Sequence, residues 1–226
     1  MKVVAATPSR GLIHSRTVEA VLRESWSIGD DWVGWLFTHD LPIPDCFNEL
    51  VERALATCAS AIWLVEEDMQ PGPGTLVKMV DALYTPADIA VVDYPVGLPK
   101  NISGKTYPTV TRDGAGRVTW CGTGCILIQR HVFDSVPRPW FTLQNRLVKP
   151  GVVTWQGGEP SKYGSDIAFT FACHQLGFKF AVVDAQVNHL RVVERGQSGK
   201  NCGFHIIEPL PPPIVEHRER LDPRRK

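Results

Sequence analysis

The chain has 226 residues, 43% hydrophobic and 21% charged, with 24 Lys+Arg against 24 Asp+Glu. These values fit a globular chain large enough to bury a sizeable core, and they argue against general disorder. Zero formal charge lacks the basic bias of a nucleic-acid binder, and no apolar run approaches the roughly 20 residues that span a bilayer. The last eleven residues carry five Lys/Arg and three Asp/Glu, a local +2 that leaves the rest of the chain at −2.

The chain opens with "KVVAATPSRG", a short apolar strand broken by Pro8 and Gly11. "SRTVEAVLRESW" predicts a helix with Val18, Val21, Leu22 and Ser25 on its inner stripe. "WVGWLFT" follows as an aromatic and β-branched strand. "CFNELVERALATCAS" then places Phe47, Leu50, Val51, Ala54, Leu55 and Cys58 on one helical face. "AIWLV" reads as a strand buried on both sides, "PGTLVKMVDAL" as a helix and "DIAVVDYP" as a fourth strand. Strand and helix thus alternate through residue 95, as right-handed βαβ crossovers require.

Beyond Pro95 the rhythm changes. "TYPTVTRDGAGRVTW" predicts a hairpin turning at Asp113-Gly114 and Gly116, and "GCILIQRHVFDSV" a strand running into a short helix. A Gly/Pro-containing stretch with Trp140, Trp155 and Tyr163 reads as a mobile loop region, its aromatic faces suited to stacking on sugars, although packing suits Trp140 better. "SDIAFTFACHQLGF" is a helix with Ser165 as N-cap and Gly177 as stop, and "KFAVVDAQVNHL" holds a final strand. Residues 1–205 are expected to form the domain and 206–226, Pro-rich and then charged, a tail. Six irregularly spaced cysteines with no signal peptide before them lead us to expect reduced thiols in the cytoplasm of a bacterium or of a virus-infected cell.

The informative stretch is "SAIWLVEEDMQPGPG". An apolar strand ends in Glu66, Glu67 and Asp68 and then turns. Three adjacent carboxylates repel one another, which a divalent cation among them would offset, and in an open α/β sheet ligands bind beyond the carboxyl ends of the strands. "GTGC" at 122–125 allows close backbone approach, to a sugar ring or as a bulge at a strand start. Other signals fail. Cys121 and Cys125 lack a second pair at zinc spacing, "GTGCIL" lacks the third glycine of a dinucleotide fingerprint, and no phosphate-binding Walker sequence is present.

In "AIWLVEEDMQPGPGTLVKMVDAL" the sequence resembles the metal-binding segment of GT-A fold glycosyltransferases, a family 2-like pattern. Three further blocks fit in the same order: "VVAATPSRG", "GTGCILIQRHVFDSV" and "YGSDIAFTFACHQLGFKFAVVDAQVNHL". The resemblance covers most of residues 1–190. It implies one α/β domain, GT-A-like and Rossmann-like, with a mixed, mostly parallel central sheet flanked by helices.

It also implies roles. Glu66 matches the first acidic position of the metal motif and Asp68 the second, with His189 completing the site. Glu-Glu-Asp departs from Asp-x-Asp, and the extra methylene moves the Glu66 carboxylate by roughly 1.5 Å, which keeps Glu67 as a spare candidate. An imidazole ligand favours Mn²⁺ over Mg²⁺. Asp166 matches the base that deprotonates the acceptor, although Ser165-Asp166 stands where the family has Glu-Asp. Thr7, Pro8, Ser9 and Arg10 are the expected nucleotide contacts, with Asp40 near the base or ribose and Asp93 lining the sugar site. The implied activity is metal-dependent transfer from a nucleotide-sugar, UDP-sugar favoured, to a hydroxyl on a protein, glycoside or modified nucleic acid. A sugar-phosphate nucleotidyltransferase and a non-catalytic nucleotide-sugar-binding protein are the alternatives.

Overall fold

The computed structural model describes residues 1–9, 11–94, 96–97, 106–107, 109–142, 164–190, 192–196 and 202–206. They belong to two compact units, Met1–His189 and Leu190–Lys226. The boundary read from the sequence, after residue 205, lies inside the second unit, and of the tail only Ile206 is among the described residues.

The first unit runs in chain order through β1 (Val3–Thr7), α1 (Ser15–Ile28), a 3-10 turn (Gly29–Asp31), β2 (Trp32–Phe37), α2 (Asp45–Leu55), β3 (Ala61–Val65), β4 (Met69–Pro71), α3 (Thr75–Leu83) and β5 (Ile89–Val92). It continues with the two-residue strands β6 (Val96–Gly97) and β7 (Thr106–Tyr107), then β8 (Val110–Arg112), β9 (Val118–Cys121), β10 (Cys125–Gln129), α4 (Arg130–Ser135), α5 (Ser165–Gln175), β11 (Phe180–Val183) and β12 (Val187–His189). In the second unit β13 (Val192–Gly196) pairs antiparallel with β14 (Cys202–Ile206).

Six strands form the central sheet in the order β11-β5-β10-β3-β1-β2. β1 runs parallel to β2 and β3, and β5 to β11, while β10 runs against both of its neighbours. Five strands therefore point one way and β10 the other. The apolar runs of β1, β3 and β5 are buried throughout because helices cover both faces. The two-residue period of a strand divides them between two cores. Val4, Ala6, Ile62 and Leu64 pack with residues of α2, α4 and α5, whereas Val3, Ala5, Ala61, Trp63 and Val65 pack with residues of α1 and α3.

Helix α2 buries Phe47, Leu50, Val51 and Ala54 as its pattern predicts, although Cys58 falls beyond the helix and is exposed. Helix α1 is rotated from expectation. Thr17, Ala20, Val21, Glu24 and Ser25 are buried, while Leu22 is 45% and Trp26 79% exposed. The cause is Glu24. Its carboxylate accepts the backbone N–H groups of Gly74 at 3.1 Å and Leu76 at 2.9 Å, at the start of α3. Gly74 provides no side-chain cap of its own, so a buried acid on α1 serves instead. Apolar periodicity does not register a buried carboxylate whose partners lie fifty residues away. Helix α5 also differs at its start, where Gly164 is the N-cap and Ser165 the first helical residue.

Candidate active site

The loops after β1, β3 and β5 leave the same edge of the sheet, and antiparallel β10 enters from that edge. Pro8, the Glu66–Asp68 turn, Tyr94 and the Gly122–Gly124 turn are thereby gathered at one end of the strands. A cleft of about 210 Å³ opens there. Glu66, Glu67 and Asp68 line one side, Gly164, Ser165 and Asp166 at the start of α5 another, and Pro8 with Ile43, Cys46 and Phe47 supplies an apolar wall. Phe47 stacks on Phe141, which stacks on Phe169 of α5, so aromatic packing ties that wall to the helix carrying Asp166.

The three acids of the turn are held in three different ways. The Glu66 N–H donates to the Gly124 carbonyl at 3.0 Å, and the Thr123 hydroxyl donates to the Glu66 carboxyl at 3.0 Å. Burial, with the negative charges of Asp166 and Asp68 nearby, pushes the Glu66 carboxyl up to about 8. Glu67 is anchored through its carbonyl, which accepts the His14 N–H at 2.9 Å and the Thr17 hydroxyl at 3.0 Å. Asp68 faces His189, with Oδ2 and Nε2 3.2 Å apart. Strand pairing explains that meeting: β12 lies antiparallel to β4 with His189 opposite Met69, the residue after Asp68. The Tyr94 ring meets the imidazole edge-on at 6.1 Å, and the buried His189 Nδ1 has no hydrogen-bond partner among the described residues.

Of the expected metal ligands, the structure brings Asp68 and His189 into contact and turns the Glu66 carboxyl to Thr123 instead. Among the described residues no three His, Cys, Asp or Glu side chains converge as a metal cluster. The pair still fits a divalent cation in its chemistry. A carboxylate oxygen and an imidazole nitrogen 3.2 Å apart are both donors to divalent metals, and this N/O pair suits Mn²⁺ better than Mg²⁺.

Asp166 stands in the first turn of α5. The Thr170 hydroxyl accepts the Cys121 N–H at 3.0 Å and lies 2.9 Å from the Cys121 carbonyl oxygen and 3.0 Å from that of Asp166, so this turn is docked on β9. Burial raises the Asp166 carboxyl, while the N–H groups of Ile167 and of Asp166 itself pull it down.

The remaining expected residues are placed less centrally. Thr7 is buried and accepts the Trp35 indole N–H at 2.9 Å, and Ser9 is buried with its N–H on the Thr38 hydroxyl at 3.1 Å. Both shape the turn after β1, and of that run only Pro8 lines the cleft among the described residues; Arg10 lies outside them. Asp40 is exposed in the left-handed region at φ 52° and does not line the cleft. Asp93 accepts the Thr109 N–H at 2.9 Å and its hydroxyl at 3.2 Å, fastening the entry to β8 to the end of β5.

Gly124 makes room for the protein itself rather than for a sugar. A methyl group there would overlap the Tyr94 hydroxyl, which accepts the Gly124 N–H at 3.1 Å. Trp140 is buried and donates to the Phe133 carbonyl at 2.8 Å, a packing role; Trp155 and Tyr163 lie outside the described residues. Thr123, Tyr94 and the wall of Ile43, Cys46 and Phe47 were not singled out from sequence as site residues. The placement of "GTGC" just before a strand was the available signal for Thr123. No signal marked the wall, because Phe47 reads equally well as core.

No protein-family model matches the chain, and no curated protein matches it. Solved structures do. A197 from STIV is 16% identical over 84% of this chain and 86% of its own, with a TM-score of 0.60. Glucosyl-3-phosphoglycerate synthase from Mycobacterium tuberculosis, solved with Mn²⁺, UDP and phosphoglyceric acid, is 13% identical over 80% of this chain and 68% of its own, with a TM-score of 0.46. The 4-diphosphocytidyl-2C-methyl-D-erythritol synthase from Anaerococcus prevotii is 10% identical over 82% and 90%, with a TM-score of 0.41. At such identities the likeness is one of fold. The chain has a GT-A-like fold, with the mixed, mostly parallel sheet read from the sequence. Among the described residues no helix is long and apolar enough to cross a membrane.

Proposed function

We propose that the protein is a metal-dependent glycosyltransferase that moves a sugar from a nucleotide-sugar, UDP-sugar favoured, to an acceptor hydroxyl. One observation carries the reading: Asp68, in contact with His189, and Asp166 line a single cleft at the carboxyl end of the parallel strands. Asp68 and His189 would hold Mn²⁺, whose charge, when bound, offsets that of the departing diphosphate. Without metal, burial and the charges of Asp166 and Asp68 bias the Glu66 carboxyl toward its neutral form, which limits the negative charge of the turn. Asp166 takes the proton of the acceptor hydroxyl, and burial makes it a stronger base than an exposed aspartate. The apolar wall of Ile43, Cys46 and Phe47 excludes water from one side of the cleft.

The test is UDP release from a panel of UDP-sugars in Mn²⁺, with a chelator control. Metal-dependent release supports the reading. Pyrophosphate release from a nucleoside triphosphate and a sugar phosphate replaces it with nucleotidyl transfer, and binding without turnover replaces it with a non-catalytic role.

A further inference from the structure

We propose that Gly164 is a positioning residue for Asp166: by lacking a side chain it leaves open the space into which the Asp166 carboxylate folds. The proposal rests on the reading of Asp166 as the base.

Neither backbone conformation nor capping requires a glycine at 164. Its φ of −65° and ψ of 158° are extended values that any residue adopts. It is the N-cap of α5, where Ser, Asp or Asn serve as well or better by bonding a free N–H, and Gly164 makes no such side-chain bond. The neighbour does explain it. A Cβ at 164 would overlap Oδ1 of Asp166. The second carboxylate oxygen, Oδ2, lies 3.7 Å from where a Cβ on Gly122 would stand. The carboxylate is therefore seated between two positions without side chains, one at the start of α5 and one in the turn before β10.

Both sides of this seat are fixed. The Gly122 N–H donates to the Thr109 carbonyl at 3.0 Å, and Thr170 docks the first turn of α5 on Cys121. A methyl group at 164 would meet the end of a side chain rather than backbone. Asp166 can rotate to another staggered well while the fold stays as it is. Substitution at 164 thus separates the position of the carboxylate from the stability of the domain, which substitution of Asp166 itself does not.

The experiment compares wild type, Gly164→Ala, Gly164→Ser, Asp166→Asn and the Gly164→Ala/Asp166→Asn double variant in Mn²⁺-dependent hydrolysis of a UDP-sugar, water serving as acceptor. Gly164→Ala is expected to lower kcat by about 10- to 100-fold, the scale of an ångström-level misplacement of a reacting group. Its KM for the UDP-sugar is expected to stay near wild type, and its Tm to fall by no more than the small amount that alanine costs at an N-cap. Gly164→Ser, with a better cap, is expected to lose kcat while gaining stability. In the Asp166→Asn background Gly164→Ala should cost nothing more, as a residue acting only through Asp166 must behave. An undiminished kcat in Gly164→Ala, or an equal loss with and without Asp166, overturns the proposal. A crystal structure of Gly164→Ala decides independently of turnover: a rotated Asp166 supports the seat, and an unmoved one overturns it. Absence of UDP-sugar turnover in wild type counts against the proposed function and leaves this structural result standing.

Discussion

The two acidic sides of the cleft are built on different principles. The turn after β3 is held by pairing with distant strands: Gly124 takes the Glu66 N–H, and the register of β12 on β4 brings His189 to Asp68. The start of α5 is held by one of its own side chains, Thr170, whose hydroxyl meets the Asp166 carbonyl a turn back and docks on Cys121 of β9, and by the space at Gly164. The first side brings together side chains 121 residues apart, while the second docks a helix on a strand 49 residues away and seats its acid against a glycine close by in the chain. A metal pair made by sheet register and a carboxylate placed by a helix end should therefore fail separately, and variants can show whether they do.

The largest separation is expected between Asp68 and Asp166. Asp68→Asn and His189→Ala should each weaken Mn²⁺ binding by about 100-fold or more, since removing a ligand costs more than the 10- to 100-fold lost with outer-shell partners. Asp166→Asn should leave Mn²⁺ binding near wild type and lower turnover by about 10²- to 10⁴-fold, the usual worth of general-base catalysis. Electron paramagnetic resonance of free Mn²⁺ measures the first and UDP release the second. Loss of Mn²⁺ binding in Asp166→Asn would merge the two sides into one site and remove the distinction.

A third carboxylate sharpens the comparison, because Glu24 is buried for structure alone. It caps α3 from α1 and does not line the cleft. Glu24→Ala would leave the N–H groups of Gly74 and Leu76 buried without that acceptor, at a cost of about 2–4 kcal/mol in urea unfolding. Turnover at temperatures where the variant stays folded should be unchanged. If Glu24→Ala unfolds at the wild-type urea concentration, the cap contributes nothing and the rotation of α1 needs another cause.

What the sequence disclosed follows the same division. Period-two and 3.6-residue patterns placed the sheet and α2 because apolar contacts repeat along the chain. The acidic turn was legible as three carboxylates at a strand end, and Asp166 as an acid beginning a helix. The meeting of Asp68 with His189 was anticipated through the family resemblance, whereas the partners of Glu66 and Glu24 were not, since Thr123 and the start of α3 reach them through register between distant segments. Asp93 and Asp40 were credited with ligand contacts on their strand-end position, yet Asp93 is engaged by Thr109, and Asp40 stands outside the cleft. Position at a strand end brings a residue to the right edge of the sheet, and only its hydrogen-bond partners decide whether it faces the cleft.

A slope in stability with pH tests whether Glu66 belongs with the metal pair or with Thr123. Its folded pKa, about 8, lies above the ordinary glutamate value of 4.5. The folded protein therefore holds the Glu66 proton more tightly than the unfolded chain does. The stability this gives is complete below about pH 4.5, falls as pH rises, and is gone once pH passes about 8. With metal removed by chelator, wild type should thus lose stability between pH 5 and pH 8 with a slope of at most about 1.4 kcal/mol per pH unit. Glu66→Gln keeps an oxygen to accept from Thr123 and cannot ionise, so its urea midpoint should change less over that range. Equal slopes in the two proteins would mean that Glu66 ionises freely beside Asp68, and the carboxylate would then return to the metal side of the cleft.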